Sequence, residues 1–176
     1  MNTITINTLN FYQHPEWTES YEAKHNVFVP FLNSDKISVS FEYFEDDEAF
    51  LERVASILTE FLALTIEDRQ KISRYVLQNC QEFLEAIEYD ECDEPLHQLI
   101  KDDNIHGIWQ YVEPTSIGIK HNEETDEMFI LVYCGCDWEQ EHGLQLTIKQ
   151  GMILTAVTDI TCYHEDDGLN VYLKDN

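Results

Sequence analysis

The residues best suited to chemistry are concentrated in one short segment of the chain. Residues 136–143 read Cys-Asp-Trp-Glu-Gln-Glu-His-Gly and combine a thiol, three carboxylates, an imidazole and an indole. Thiolate, imidazole and carboxylate groups bind metals and serve as nucleophiles, acids and bases. The flanking residues predict strands, and loops held by rigid strands often carry function. We call residues 136–143 the signature loop and consider three interpretations of it.

The first two interpretations, a small metal-binding protein and an enzyme, depend on the same four side chains: Cys136, Glu139, Glu141 and His142. The Cys-x-Cys spacing of Cys134 and Cys136 differs from the cysteine pairs that are typical of zinc sites. The chain also contains no Gly-rich phosphate or dinucleotide loop and no His-Glu-x-x-His motif. We therefore assign no catalytic residue, no metal ligand and no cofactor, and we keep a metal-binding protein or enzyme as the alternative.

The third interpretation is that the signature loop is structural or serves recognition. Gly135 and Gly143 bracket a tight connection whose backbone needs unusual dihedral angles. Trp138 is expected to anchor the loop in the core, because a large aromatic side chain usually buries most of its area. The loop carboxylates would then face solvent, as most carboxylates do.

The net charge narrows the class of partner. The chain has 176 residues, with 10 Lys and Arg against 35 Asp and Glu, which gives a net charge of −25. Phosphate contacts require Lys and Arg, so this excess of acid argues against binding to nucleic acid or to an anionic membrane surface. It favours a cationic partner such as a basic protein.

The sequence also indicates where in the cell we expect the protein. The N-terminal residues show no signal-peptide pattern, and no segment approaches 18 consecutive apolar residues, so we expect no membrane span. The five cysteines, an odd number, are expected to be reduced thiols in a cytoplasm.

A binding surface for such a partner can be assembled from two acidic segments. The chain is predicted to be a non-enzymatic acidic module that binds a basic bacterial toxin as an immunity-type inhibitor. Charged surfaces of this kind steer association over long distances. The predicted contact residues lie in the signature loop and in a second segment, which we call the acidic segment (residues 90–94): Asp137, Trp138, Glu139, Glu141, His142, Asp90, Glu91, Asp93 and Glu94.

Hydrophobic periodicity predicts the elements that position these residues. Alternation through Ile37, Val39 and Phe41 predicts a half-buried strand, which we expect to form a hairpin with residues 26–32. Apolar stripes at helical spacing within residues 50–61 and 72–87 predict two helices in a hairpin. The unbroken apolar run of residues 128–134 predicts a central strand that is covered on both faces.

The fold class is therefore predicted to be α+β, with an antiparallel twisted sheet and a helical hairpin packed on one face. We expect one domain over residues 1–176, with N-terminal strands in 1–45, a helical part in 46–103 and C-terminal antiparallel strands in 107–159.

Three local expectations accompany this fold. A strand is predicted over Ile108 to Val112, and Pro114 is expected to end it. Lys149-Gln150-Gly151 is predicted to be a hairpin turn. Trp17 and Trp109 are expected to pack against the protein rather than to stack on a ligand.

The signature loop also resembles a known family. With Leu144-Gln145 it is similar to the Cys-Asp-Trp-Glu-x-Glu-His-Gly-Leu-Gln hallmark of a bacterial family of uncharacterised domains. In that family a strand, a Gly turn and a Val-Ser/Thr-Asp ending follow, and this chain has Gly151 and Val157-Thr158-Asp159 in those places. The resemblance covers roughly Pro114 to Asp159. It implies a stand-alone acidic bacterial protein without a catalytic role, and some members are suspected immunity proteins.

Overall fold

The computed structural model describes residues 2–43, 48–163 and 167–174. Residues 46 and 47, where the helical part is predicted to begin, lie outside the described residues. The strands are β1 Thr3–Ile6, β2 Leu9–Gln13, β3 Ser20–Ala23, β4 Val27–Val29, β5 Ser34–Glu42, β6 Val112–Asn122, β7 Glu127–Cys136, β8 Leu144–Lys149, β9 Ile153–Thr158 and β10 Val171–Tyr172. The helices are α1 Glu48–Leu62, α2 Ile66–Gln70, α3 Ser73–Ala86 and α4 Glu94–Lys101, with 3₁₀ turns at Glu91–Asp93 and Ile105–Tyr111.

The described strands form one sheet in the order β1-β2-β3-β5-β6-β7-β8-β9-β10. β4 lies off this path and pairs with the N-terminal residues of β5. All neighbours are antiparallel except β5 and β6, which run parallel. A parallel pair needs a long crossover connection, and all four helices lie in the segment between these two strands. The predicted α+β class, with a largely antiparallel sheet, is confirmed.

The helices cover one face of this sheet. Val54, Leu58 and Phe61 of α1 are fully buried and share a core with alternate residues of β7, such as Ile130 and Val132. Helix α1 contacts β7 and β1, whereas α3 contacts β9. The two stripes predicted from helical spacing are thus the buried faces of α1 and α3.

Three local predictions hold in detail. β4 and β5 form the predicted antiparallel hairpin. The turn between β8 and β9 has Gln150 and Gly151 at φ 53° and 73°, which are the left-handed angles that a tight hairpin turn requires. All five cysteines are free thiols.

Two local predictions are wrong. Residues 105–111 form a 3₁₀ turn rather than a strand, and β6 continues through Pro114 to Asn122. Pro114 is tolerated because the β6–β7 register shifts between Pro114 and Ser116, and such an irregularity accommodates a residue without an N–H.

Trp17 is also not packed, since it is 60 % exposed and stacks only on His14 with ring centroids 4.4 Å apart. Trp109 does pack, because it is partly buried against the core and its indole N–H donates to Ser73 Oγ (2.8 Å). None of the helices in the described ranges is long and apolar enough to cross a membrane.

Candidate functional site

The signature loop lies at one end of the two central strands. β7 continues to Cys136 and β8 begins at Leu144, so the connection itself is residues 137–143. Gly143 has φ +71°, and a Cβ built on it would lie 2.5 Å from the carbonyl oxygen of Cys134. The glycine is therefore required where the chain turns back into β8. Gly135, which we expected to bracket the loop, instead lies within β7.

Trp138 fixes the loop to the helical layer. Its side chain is 4 % exposed and belongs to the main core. Its indole N–H donates a hydrogen bond to Oδ1 of Asn79, in the middle of α3, at 3.1 Å. The loop is thus held by apolar burial together with a satisfied polar group, and the prediction that Trp138 is a core anchor is confirmed.

Glu139 organises the loop from within rather than facing solvent. One carboxylate oxygen accepts the backbone N–H groups of Glu141 (2.9 Å) and His142 (3.1 Å). Its own carbonyl accepts the N–H of Gly143 (3.0 Å). With its side chain 13 % exposed, Glu139 differs from the predicted solvent-facing carboxylate and acts as the cap of this turn.

The titration of Glu139 follows from this capping. Burial of the carboxyl opposes ionisation, but the hydrogen bonds from the N–H groups of His142 and Glu141 outweigh it, so the pKa of Glu139 is lowered from 4.5. A carboxyl whose pKa is lower in the folded state contributes stability above its unfolded pKa. That stability is lost as pH falls through the folded pKa.

We therefore expect Glu139→Ala to be less stable than the wild type at about pH 6, with a gap that shrinks towards about pH 3. Urea denaturation followed by circular dichroism across this range measures the gap. Glu141→Ala is the matched control, since Glu141 is exposed in the same turn and should give a small gap at every pH. A gap for Glu139→Ala that stays constant on acidification would contradict the capping role.

The two thiols at the end of β7 are buried, which makes them poor nucleophiles. Burial raises the pKa of Cys136 to about 11, and Sγ donates to the Glu139 carbonyl at 3.4 Å. Burial also raises the pKa of Cys134. A thiol must be deprotonated to act as a nucleophile. Across residues 2–43, 48–163 and 167–174, no group of three or more His, Cys, Asp or Glu is arranged to hold a metal ion.

Three other predicted contact residues of the loop are exposed. Asp137, Glu141 and His142 face solvent, with the His142 side chain 61 % exposed and its Nδ1 3.6 Å from the Glu139 carboxylate. Asp137 donates only its backbone N–H, to the carbonyl of Tyr111. The solvent side of the loop therefore presents two carboxylates and an imidazole.

The acidic segment lies between α3 and α4. Asp90, Glu91 and Glu94 are exposed, and Asp93 is half-buried. Asp90 accepts the backbone N–H of Cys92 at 2.8 Å, and this hydrogen bond lowers the pKa of Asp90. Tyr89 is 62 % exposed, and its hydroxyl donates to Glu94 at 2.8 Å. The segment combines a carboxylate surface with an exposed aromatic ring.

One buried thiol, that of Cys80, lies within electrostatic range of a residue from each predicted segment. Burial, together with the nearby Cys136 and Asp93, raises the pKa of Cys80 in α3 to about 12. Cys136 begins the signature loop and Asp93 belongs to the acidic segment, so both lie within electrostatic range of one buried thiol. This proximity is absent from the sequence, where more than forty residues separate the segments.

Sequence reasoning missed a groove beside the loop. It lies between α3 and β9, has a volume of about 520 Å³, and includes Asn79, the partner of Trp138, together with Glu82, Asp159 and Asp167. We call it the α3–β9 groove. Asp159 carried a signal, since it belongs to the Val157-Thr158-Asp159 ending of the resemblance, whereas Glu82 carried none.

Gln145 is a further residue whose role the sequence did not indicate. It is fully buried in β8, and its amide donates to the carbonyl of Tyr163 at 2.7 Å. Its Oε1 accepts the N–H groups of Thr161 (3.3 Å) and Cys162 (3.1 Å). Gln145 therefore ties the segment after β9 to the sheet face opposite the helices.

A known protein family matches the part of the chain that contains nearly all of these features. Residues 5–164 match a family described as a domain of unknown function, DUF6985. The match includes the N-terminal strands and the helices, which the sequence resemblance did not reach. No curated protein and no solved structure shows a significant match to the chain.

Proposed function

Because the chain belongs to DUF6985, a family whose description gives no function, we propose from its geometry and charge that it is a non-enzymatic acidic module that binds a basic protein. We further propose that this protein is a bacterial toxin and that the chain is its immunity-type inhibitor.

One observation carries the proposal. The indole, one carboxylate and the thiol of the signature loop hold the loop in shape, and its other two carboxylates face solvent. Trp138 is buried, Glu139 caps two N–H groups, and Cys136 donates to a carbonyl. Asp137 and Glu141 remain exposed. Exposed carboxylates on a rigidly held loop are better suited to binding a positively charged surface than to catalysis.

The acidic segment offers further exposed carboxylates and adds an aromatic side chain. Hot spots of protein interfaces are enriched in Trp, Tyr and Arg, and charged rims mainly set the association rate. Tyr89, which is 62 % exposed beside Glu94, has the properties of such an anchor. The contact surface that we propose is therefore the solvent side of the signature loop together with the acidic segment.

The partner class follows from the charge of the whole chain. At −25, the protein attracts a cationic surface over distances set by the Debye length, about 8 Å at physiological salt. A toxin that cuts nucleic acid needs a cationic cleft, and an acidic protein that occupies this cleft would block it. No cofactor and no metal is required for this function.

The proposal is tested with the protein encoded by the gene next to that of this chain. We expect a basic protein that arrests growth when expressed alone, and we expect growth to recover when this chain is co-expressed. Surface plasmon resonance with the purified pair should show association that slows steeply as NaCl rises.

Two charge-matched triple variants sharpen the test. D137N/E141Q/E91Q removes three exposed carboxylates of the proposed surface, and E16Q/E22Q/D35N removes three exposed carboxylates of the N-terminal half. We expect about a tenfold slower association rate for the first and less than about a threefold change for the second. Absence of a toxic basic neighbour that binds, or equal slowing in both variants, would overturn the proposal.

A further inference from the structure

We infer that the α3–β9 groove receives an arginine-bearing segment of the partner. This inference rests on the proposed function, and it places the deepest contact at residues outside the two segments that the sequence indicated.

The groove has the size and the walls of a binding site. Its volume of about 520 Å³ falls within the range of roughly 300–1,000 Å³ that is typical of ligand pockets. Tyr75, Asn79 and Glu82 form one wall along a single face of α3. Val157 and Leu169 supply apolar surface on the other side, against which the aliphatic stem of a long side chain can pack.

The charge of the groove is unbalanced. Glu82, Asp159 and Asp167 line it, and among the described residues that line it none is Lys, Arg or His. Glu82 accepts a hydrogen bond from the neutral amide of Gln78 at 2.7 Å. Within the described residues, no ion pair involves any of these three carboxylates. A cationic group is therefore the complementary occupant.

The groove carboxylates favour an arginine side chain over a single metal ion. The described part of the chain has no cluster of three acidic, His or Cys side chains that could share one metal ion. Carboxylates on opposite walls are instead matched by the planar, multiply donating guanidinium group of arginine. Tyr75 adds an aromatic ring to the wall on which a guanidinium can stack.

The walls are held in place before any partner arrives. Asn79 accepts the Trp138 indole N–H at 3.1 Å, and its own amide lies 3.5 Å from the carbonyl of Val157 in β9. The N–H of Asp167 donates to the carbonyl of Thr155 at 3.1 Å. The groove is therefore fixed to the same residue that anchors the signature loop, and little ordering is needed on binding.

A hexa-arginine peptide is the probe for this inference. Its affinity is measured by fluorescence anisotropy in about 0.15 M NaCl, near physiological ionic strength, with the wild type, with E82Q/D159N/D167N and with the charge-matched E16Q/E22Q/D35N. We expect about a tenfold weaker affinity for the groove variant and less than about a threefold change for the N-terminal control. Amide resonances of Asn79, Val157 and Thr158 should shift on titration of the wild type, and circular dichroism confirms that both variants are folded.

The outcomes separate the groove from the proposed function. Equal weakening in both triple variants, or peptide-induced shifts confined to residues outside the groove, would show attraction by net charge alone and would overturn the inference. The neighbouring-gene experiment is independent of the peptide. If the neighbouring-gene experiment fails and the peptide binds in the groove, the proposed function is refuted. If that experiment succeeds and the peptide does not bind in the groove, only the inference about the groove is refuted.

Discussion

Replacing Trp138 by alanine is expected to lower the free energy of unfolding by about 3–5 kcal/mol, the range found when large aromatic side chains are removed from cores. Trp138 is only 4 % exposed and lies in the main core. Truncation would leave a cavity between the signature loop and α3, and it would leave Oδ1 of Asn79 without its donor. The melting temperature should fall by roughly 10 °C or more.

Two further variants separate the causes of this loss. Trp138→Phe keeps an aromatic ring but removes the indole N–H, so we expect a smaller loss than for alanine. Trp17→Ala truncates a tryptophan that is 60 % exposed, and we expect a change within about 0.5 kcal/mol. Urea denaturation monitored by far-ultraviolet circular dichroism compares all three. If Trp138→Ala proved as stable as Trp17→Ala, the anchoring role would be refuted.

Gly143→Ala is expected to produce the second large loss of stability. The backbone at Gly143 has φ +71°, where an L side chain costs roughly 1–2 kcal/mol. The new Cβ would also lie 2.5 Å from the carbonyl oxygen of Cys134, a backbone atom of the neighbouring strand that cannot rotate away. Forced displacement of packed atoms adds about 1–3 kcal/mol, so we expect a total of about 3 kcal/mol.

Gly168 provides the matched control for this substitution. It has φ +79°, but a Cβ on it would meet no atom of the described residues within 4 Å. Gly168→Ala therefore reports the conformational cost without the steric clash, and we expect Gly143→Ala to be less stable by at least about 1 kcal/mol in chemical denaturation. If both variants lost the same free energy of unfolding, the backbone of β7 would move readily to accommodate the new Cβ, and the loop would not be tightly packed against it.

The two variants also bear on function. The proposed surface is useful only if Asp137 and Glu141 are held in fixed positions, because ordering a mobile loop on binding lowers affinity. Trp138 and Gly143 determine that rigidity without facing solvent. Their loss should therefore weaken partner binding through disorder of the loop, whereas Asp137→Asn should slow association without changing stability.

Local sequence was sufficient wherever structure follows from the period of apolar residues. The alternation at Ile37, Val39 and Phe41 became β5, and the two helical stripes became the buried faces of α1 and α3. Asp68, three residues after Thr65, completes a capping box at the start of α2. Each of these features depends on neighbours within a few residues, which the chain order displays directly.

Local sequence failed where a distant partner decides the outcome. A strand was expected over Ile108 to Val112, but residues 105–111 form a 3₁₀ turn, and β6 starts only at Val112, where pairing with β7 begins. Pro114 did not end β6, because the register shift beside it removes the need for its missing N–H. Trp17, in the β2–β3 connection, is 60 % exposed, which its aromatic character alone did not indicate.

By itself, the sequence determined the excess of acid, the α+β class and the identity of the loop in which thiol, imidazole and carboxylates meet, because composition and periodicity are properties of the chain alone. Only the tertiary structure decided what those groups do. Hydrogen bonds to Asn79 and to loop amides turned Trp138 and Glu139 inward. The packing of α3 on β9 brought Glu82, Asp159 and Asp167 to one groove, and this arrangement depends on contacts between residues far apart in the chain.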